Sequence, residues 1–248
     1  YVCISMCPMC LCDKRLFNSH KDKDHSLFVA DVVNCALMRY LVKTPWLVRR
    51  FWSSYLWKID TKEKEMYLTF DDGPHPVATP FVLDLLKQYN AKATFFCIGK
   101  NVLAYPDIYR RILEEGHQVG NHTQHHLNGW KTENEVYLND AKEAAKYIDS
   151  PLFRPPYGRI RRFQAKYIRK ALHKENTRVV MWSVLSGDFD ILLTKEDCML
   201  NVTTHAGAGD IIVFHDSEKA FPRLEFALPK VMENFAERGF VFKRLPAL

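Results

Sequence analysis

Residues 69–74 read Thr69-Phe70-Asp71-Asp72-Gly73-Pro74. The run Met66-Tyr67-Leu68-Thr69-Phe70 leads into the two acids and has the length and composition of a buried strand. Gly73-Pro74 stops that strand directly after the adjacent carboxylates. In α/β proteins the C-terminal ends of parallel strands are where chemistry is placed. Two acids side by side at such a point repel each other unless a cation lies beside them. A divalent metal meets that need, and other candidate ligands stand further along the chain.

Outward from this stretch, strand-like and helix-like segments alternate. Strands are expected at 66–70, 93–98, 118–120, 152–154, 178–184, 210–214 and 240–242. Helices are expected at 80–89, 106–115, 132–148, 161–173, 195–205 and 224–238. Gly116 and Gly239 stand where helices end in a left-handed residue. Thr132 with Glu135 three residues on reads as a capping box for the 132–148 helix. This alternation gives an α/β fold: a parallel sheet with helices outside, closed into a barrel. No linker interrupts residues 60–248, which read as one domain.

The totals agree. The chain has 248 residues, enough for a sizeable core, and 47% hydrophobic against 26% charged residues is a soluble globular balance. The net charge of +6 suits an anionic cell-wall or nucleic-acid partner. Lys and Arg are spread along the chain with no basic block, so no nucleic-acid partner is expected. No run reaches the roughly 18 apolar residues of a membrane span, and no secretory signal is evident. The sequence leaves the location open between cytoplasmic and cell-envelope-associated, and it leaves the oligomeric state open.

The N-terminal part reads differently. Cys3, Cys7, Cys10 and Cys12 are four of the seven cysteines, and Cys7-Pro8-Met9-Cys10 has redox or zinc spacing. No second pair accompanies it and no strand–helix context follows it, so residues 1–37 are expected to be disordered or outside the native domain. Cys97 and Cys198 give no disulfide framework. Residues 38–59 interleave Tyr40, Trp46, Phe51, Trp52, Tyr55 and Trp57 with Lys43, Arg49, Arg50 and Lys58. An interfacial helix is one reading; a helical, aromatic extension packed on the domain is the favoured one.

Four further clusters follow predicted strands. In His122-Thr123-Gln124-His125-His126, one helical turn would put His122 and His126 on one face, a ligand spacing, with His125 as a competitor from an irregular loop. Surface or core histidines are the bland reading. Arg154-Pro155-Pro156-Tyr157-Gly158 puts a guanidinium at a strand end, where it can hold a carboxylate bidentately. Its stiff loop can aim a backbone N–H at a ligand. Trp182 precedes Asp188-Phe189 and is either core or a platform for a sugar face. Ile211-Ile212-Val213-Phe214-His215 ends in a histidine where a general acid would stand, and Asp188 could bond its ring and raise its pKa.

Taken together and in this order, the clusters resemble the polysaccharide deacetylase family (carbohydrate esterase family 4, the NodB homology domain). The resemblance covers about residues 60–248. The family pattern TFDDGP stands unaltered at 69–74, H-[ST]-x-x-H stands with His122 and His126, R-x-P-[YF]-G stands at 154–158, and the apolar strand ending in histidine stands at 211–215. The fourth motif departs: an acid–tryptophan pair common in the family is Asp188-Phe189 here, and Leu185 stands near where a further acid is often found.

The resemblance implies a distorted (β/α) barrel of about seven parallel strands, TIM-barrel-like. It also implies a metal-dependent hydrolase that removes N-acetyl groups from an N-acetylated amino-sugar polymer or oligomer, peptidoglycan or chitin-like, releasing acetate. Asp72, His122 and His126 would bind one divalent ion, zinc first, with cobalt, nickel or iron as alternatives. Asp71 oriented by Arg154 would be the base, and His215 tuned by Asp188 the acid. Tyr157 would supply an oxyanion N–H, with Trp182 and Val213 shaping the acetyl pocket. The competing readings are a related amidohydrolase acting on a small amide or cyclic imide, and a carbohydrate-binding pseudoenzyme.

Overall fold

The computed structural model describes residues 40–246. The expectations for residues 1–37, including the Cys7–Cys10 pair, lie outside the described residues.

Strand β1 (Glu65–Asp71) occupies the middle of the sheet and is buried from Met66 to Asp71. Such a near-continuous apolar run is what a strand covered on both faces requires. β2 (Thr94–Cys97), β3 (Gln118–Asn121), β4 (Leu152–Phe153) and β5 (Arg178–Val179) follow on one side. β7 (Ile211–His215) and then β6 (Val184–Leu185) follow on the other. All these ladders are parallel, and β8 (Val241–Phe242) pairs with Glu65 and Met66 at the start of β1. The sheet curls into the half-barrel of a distorted (β/α) barrel.

One register row shows how the core is built. Phe70 pairs with Phe95 on β2 and with Phe214 on β7, and the rings stack at 5.1 and 6.3 Å. All three rings are buried. Truncating such a ring to alanine costs about 3–5 kcal/mol, transfer and cavity together.

The helices are α1 (Trp46–Phe51), α2 (Ala78–Gln88), α3 (Gly99–Ala104), α4 (Pro106–Glu114), α5 (Asn134–Ala144), α6 (Arg162–Ala171), α7 (Lys195–His205) and α8 (Phe221–Glu237). α2 turns Val82, Leu85 and Leu86 into the core. α4 starts on Pro106 and is followed by Gly116 at φ 77°, the left-handed exit expected of a helix C-terminus. α7 is opened by Thr194, whose Oγ1 accepts from the Asp197 N–H while the Asp197 carboxylate accepts from the Thr194 N–H.

Three sequence expectations differ. The 178–184 strand is two short ones, because Met181 donates its N–H to Leu56 and its carbonyl, like that of Val180, receives the Arg154 guanidinium. A carbonyl engaged this way is lost to a regular ladder. The Thr132–Glu135 capping box does not form. α5 begins two residues later without a side-chain cap, and the Gln164 amide donates to the carbonyls of Gly129 and Thr132. Helix α3 was not anticipated; its six residues are too few to show a period.

Residues 42–59 run between the two sheet ends. Thr44 donates to Ser183 and Leu185 donates to Val42, beside β6; Leu56 donates to Val179, beside β5. The short α1 between these contacts buries none of its residues.

Candidate active site

The Asp71 carboxylate lies at the end of β1 and accepts from Arg154 Nη1 at 2.7 Å. The same guanidinium donates to Thr69 Oγ1 at 2.7 Å and to the Met181 carbonyl at 2.9 Å, and it lies 4.0 Å over the Phe96 ring. Arg154 is completely buried. Burial pulls its pKa down and Asp71 opposes that, so the cation depends on its carboxylate. The salt bridge also fixes the carboxylate, since every other guanidinium contact is to a rigid backbone or β-strand atom.

Asp71 and His215 are register partners on the neighbouring strands β1 and β7. The Asp188 carboxylate, fully buried, takes the His215 ring through Nδ1 at 2.8 Å and the His215 backbone N–H at 2.7 Å. Burial alone would lower the His215 pKa; Asp188 outweighs it, with Asp72 and Asp71 adding, and pushes the ring up to about 9. Arg223 Nε in turn donates to the Asp188 carbonyl at 2.6 Å.

Asp72, His122 and His126 converge, with one donor atom from each lying within 4.8 Å of the others. They do not do so from a helix. Residues 122–126 form a loop in which Thr123 and His126 have φ of 64° and 58°. The same loop turns His125 away, its Nδ1 2.6 Å from Asp140 Oδ1, and leaves His126 facing Asp72 with its Nε2 3.1 Å from Oδ1. His122 Nδ1 lies 2.8 Å from the Arg154 carbonyl, an acceptor only, so Nδ1 carries the proton and Nε2 presents a lone pair. Burial pushes His122 down to about 4, which keeps the ring neutral. Burial pushes the Asp72 carboxyl up, but His126 beside it and the charge on His215 outweigh that and hold the group below its ordinary value.

This donor set fits a cation. Asp72 Oδ1 is buried without a hydrogen bond, 3.1 Å from His126 Nε2 and 3.6 Å from His122 Nε2. The Asp72 oxygen and the His122 Nε2 lone pair repel each other until a positive ion joins them. Two imidazoles and a carboxylate are a common ligand set for catalytic zinc, and the Arg154 carbonyl on His122 Nδ1 is the outer partner such ligands usually have.

The remaining expected residues lie around this group. Tyr157 has φ 61° and packs its exposed ring on His126 at 4.6 Å. Trp182 is half-buried and close to Gly158, where an added Cβ would come within 2.6 Å of the indole. Val213 is buried on β7, paired with Thr69 and Leu185. Phe189 sets its ring edge-on to His215 at 5.1 Å.

Sequence reasoning missed three polar partners. Buried Asp216 accepts from the Gly73 N–H and from Thr79 Oγ1. Buried Asp140 accepts from the N–H groups of Gln124 and His125. Asn101 donates to the Asp72 carbonyl at 2.7 Å. Two had a readable signal: Asp216 directly follows the strand-end histidine, and Asp140 shares the buried stripe of α5 with Tyr137, Ala141 and Ala144. Asn101 had none.

Fold and site together define a (β/α)-barrel enzyme whose polar residues gather at the C-terminal ends of β1, β3 and β7. The polysaccharide deacetylase family model matches residues 58–180, and the chain belongs to that family. It is 35% identical over 192 residues to a peptidoglycan-N-acetylglucosamine deacetylase of Bacillus cereus, covering 75% of this chain and 88% of that protein. A chitooligosaccharide deacetylase of Azorhizobium caulinodans is 34% identical over 206 residues, 76% of this chain and 96% of its own length. The crystal structure of the Bc1960 peptidoglycan N-acetylglucosamine deacetylase with 4-naphthalen-1-yl-N-oxidanyl-benzamide superposes with a TM-score of 0.73 at 32% identity, over 82% of this chain and 95% of that one. Membership puts the chain among the hydrolases of carbon–nitrogen bonds other than peptide bonds.

Proposed function

We propose that the protein is a metal-dependent N-deacetylase that releases acetate from an N-acetylated amino-sugar polymer, with peptidoglycan first and chitin-like oligomers second. One observation carries the reading: Asp71 and His215 are register partners at the ends of adjacent strands, and each is held by its own buried partner of opposite charge. A base and an acid so placed can act on the two sides of one amide. The substrate class follows the relatives, which are deacetylases of peptidoglycan N-acetylglucosamine and of chitooligosaccharides.

Asp72, His122 and His126 would hold the divalent ion, zinc first, with cobalt, nickel or iron tolerated. When bound, the ion polarises the acetamide carbonyl and makes water a stronger acid. Asp71 takes the proton from the attacking water, and Arg154 keeps that carboxylate in one orientation. The Tyr157 backbone N–H bonds the developing negative charge on the acetyl oxygen. His215 donates its proton to the departing amine, and its elevated pKa keeps that proton available at neutral pH. Trp182 and Val213 border the space for the acetyl group. Acetate and a free amino sugar leave. Adjacent side chains on an extended backbone point different ways, which lets Asp71 and Asp72 divide proton transfer and metal binding between them.

Among the described residues no helix is long and apolar enough to cross a membrane. A wall substrate would place the protein at the cell envelope. The test is acetate release from N-acetylglucosamine oligomers and from peptidoglycan, with protein stripped of metal and then given zinc or cobalt. Release restored by metal is the expected result. Metal-loaded protein inactive on both glycans would overturn the assignment in favour of a different amide.

A further inference from the structure

Four of the six non-glycine residues with positive φ among the described residues belong to the site: Asp72 at 81°, Thr123 at 64°, His126 at 58° and Tyr157 at 61°. A left-handed backbone costs a residue with a Cβ on the order of 1–2 kcal/mol, and it persists only where the surroundings over-determine it. Two buried carboxylates outside the proposed chemistry do this for the two segments that carry the cluster.

Asp216 brackets Asp72. Its carboxylate accepts from the Gly73 N–H at 3.1 Å and from Thr79 Oγ1 at 2.5 Å, and its own N–H donates to the Asp71 carbonyl at 3.1 Å. Thr79 Oγ1 accepts from the His75 N–H, which ties the start of α2 into the same knot. Asn101 on α3 holds the remaining side by donating to the Asp72 carbonyl. The fit is close: a Cβ on Gly73 would lie 2.1 Å from Asp216 Oδ2. Asp140 repeats the device on the histidine loop. Its Oδ2 accepts from the N–H groups of Gln124 and His125, both at 3.0 Å, between the left-handed Thr123 and His126.

We infer that Asp216 and Asp140 are positioning residues that lock the left-handed backbones carrying Asp72 and His126, with Asn101 assisting at Asp72, so that the three donor atoms are aimed before any ion binds. The inference rests on the metal reading given above. Neither carboxylate touches the donor atoms, so each acts through main-chain geometry. Removing an outer partner of a metal ligand typically lowers affinity about 10–100-fold.

The experiment is cobalt titration of metal-free protein, followed by visible absorption, with thermal melting of each metal-free variant alongside. Asp216→Ala, Asp140→Ala and Asn101→Ala are each expected to weaken cobalt binding at least about tenfold. Asn101→Ala keeps the test open should a buried carboxylate prove necessary for folding, because Asn101 is only half-buried. His125→Ala removes the ring on Asp140 Oδ1 but keeps both N–H bonds, so its affinity is expected to stay within about twofold of the parent, small against that outer-partner loss. Variants that melt earlier but bind cobalt as tightly as the parent would assign these residues a purely structural role and overturn the inference. Loss of affinity in His125→Ala equal to that in Asp140→Ala would overturn the main-chain route. A parent protein that binds no cobalt would overturn the metal reading itself, and this inference with it.

Discussion

The two ion pairs at the ends of β1 and β7 are built in opposite senses. At Asp71–Arg154 the buried partner is the cation; at His215–Asp188 it is the anion. In both, the fully buried member is the one that does no proton transfer in the proposed reaction, and the reacting member is the more exposed. The guanidinium also has several neutral acceptors, Thr69, Met181 and Val180, whereas Asp188 is bonded mainly to the one histidine. The comparison teaches that burial is spent on the partner that sets the charge state, and that the base side is braced more redundantly than the acid side.

The largest expected effect comes from breaking the base side. Asp71→Asn should lower turnover by about 10²–10⁴-fold, the span of a lost general base, while metal binding measured by titration stays near the parent value. It also leaves Arg154 buried without its counter-charge, for which urea unfolding should report a loss of about 3–5 kcal/mol. Asp72→Ala is the counterpart: it should lose the metal. Equal metal loss in both variants would refute the division of labour between the two acids.

Breaking the acid side should show in the pH profile more than in stability. The folded pKa of His215 is raised above its ordinary value, to about 9. Protonation of this ring therefore stabilises the fold fully below about 6.5, the unfolded value, and that contribution is lost as pH rises through about 9. A general acid must hold its proton, so kcat should fall on the same alkaline limb. Asp188→Asn should pull that limb toward the ordinary histidine range and lower kcat at pH 8. An unmoved limb would mean another group supplies the proton.

The smallest effect sharpens the contrast in bracing. Thr69→Val removes one of the acceptors around Arg154 and the hydroxyl that donates to the Ile212 carbonyl. A lost buried partner of this kind costs about 1–3 kcal/mol. Because Met181 and Asp71 still hold the guanidinium, kcat should change only a few-fold. A loss as large as that of Asp71→Asn would show that the base side has no redundancy.

Strand and helix positions were legible where the pattern was long or punctuated. The apolar run before Asp71, the helix starting at Pro106 and stopped by Gly116, and the helix from Lys195 needed only local rules. The 178–184 strand was misread because its interruption depends on Arg154, 26 residues away at Val180, whose guanidinium takes carbonyls a ladder would have used. The Thr132 cap failed for a similar reason, since the Gln164 amide reaches back to the Thr132 carbonyl from a later helix. Long-range polar competition leaves no trace in a local window.

The site divides the same way. Which residues are capable of chemistry is readable from the chain alone, because strand-end acids, histidines and an arginine stand out as residue types at punctuated positions. Its motif order also determined the family. The residues alone left His125 and His126 as alternatives and the family resemblance named His126; the folded chain shows how, through left-handed turns at Thr123 and His126 and Asp140 drawing His125 aside. Only the tertiary structure decided that Asp71 and His215 stand side by side, because the register between two strands 144 residues apart along the ladder is set by packing across the whole sheet. Local sequence specifies residue chemistry and backbone preference; which groups meet is fixed by contacts that exist only when the chain has closed on itself.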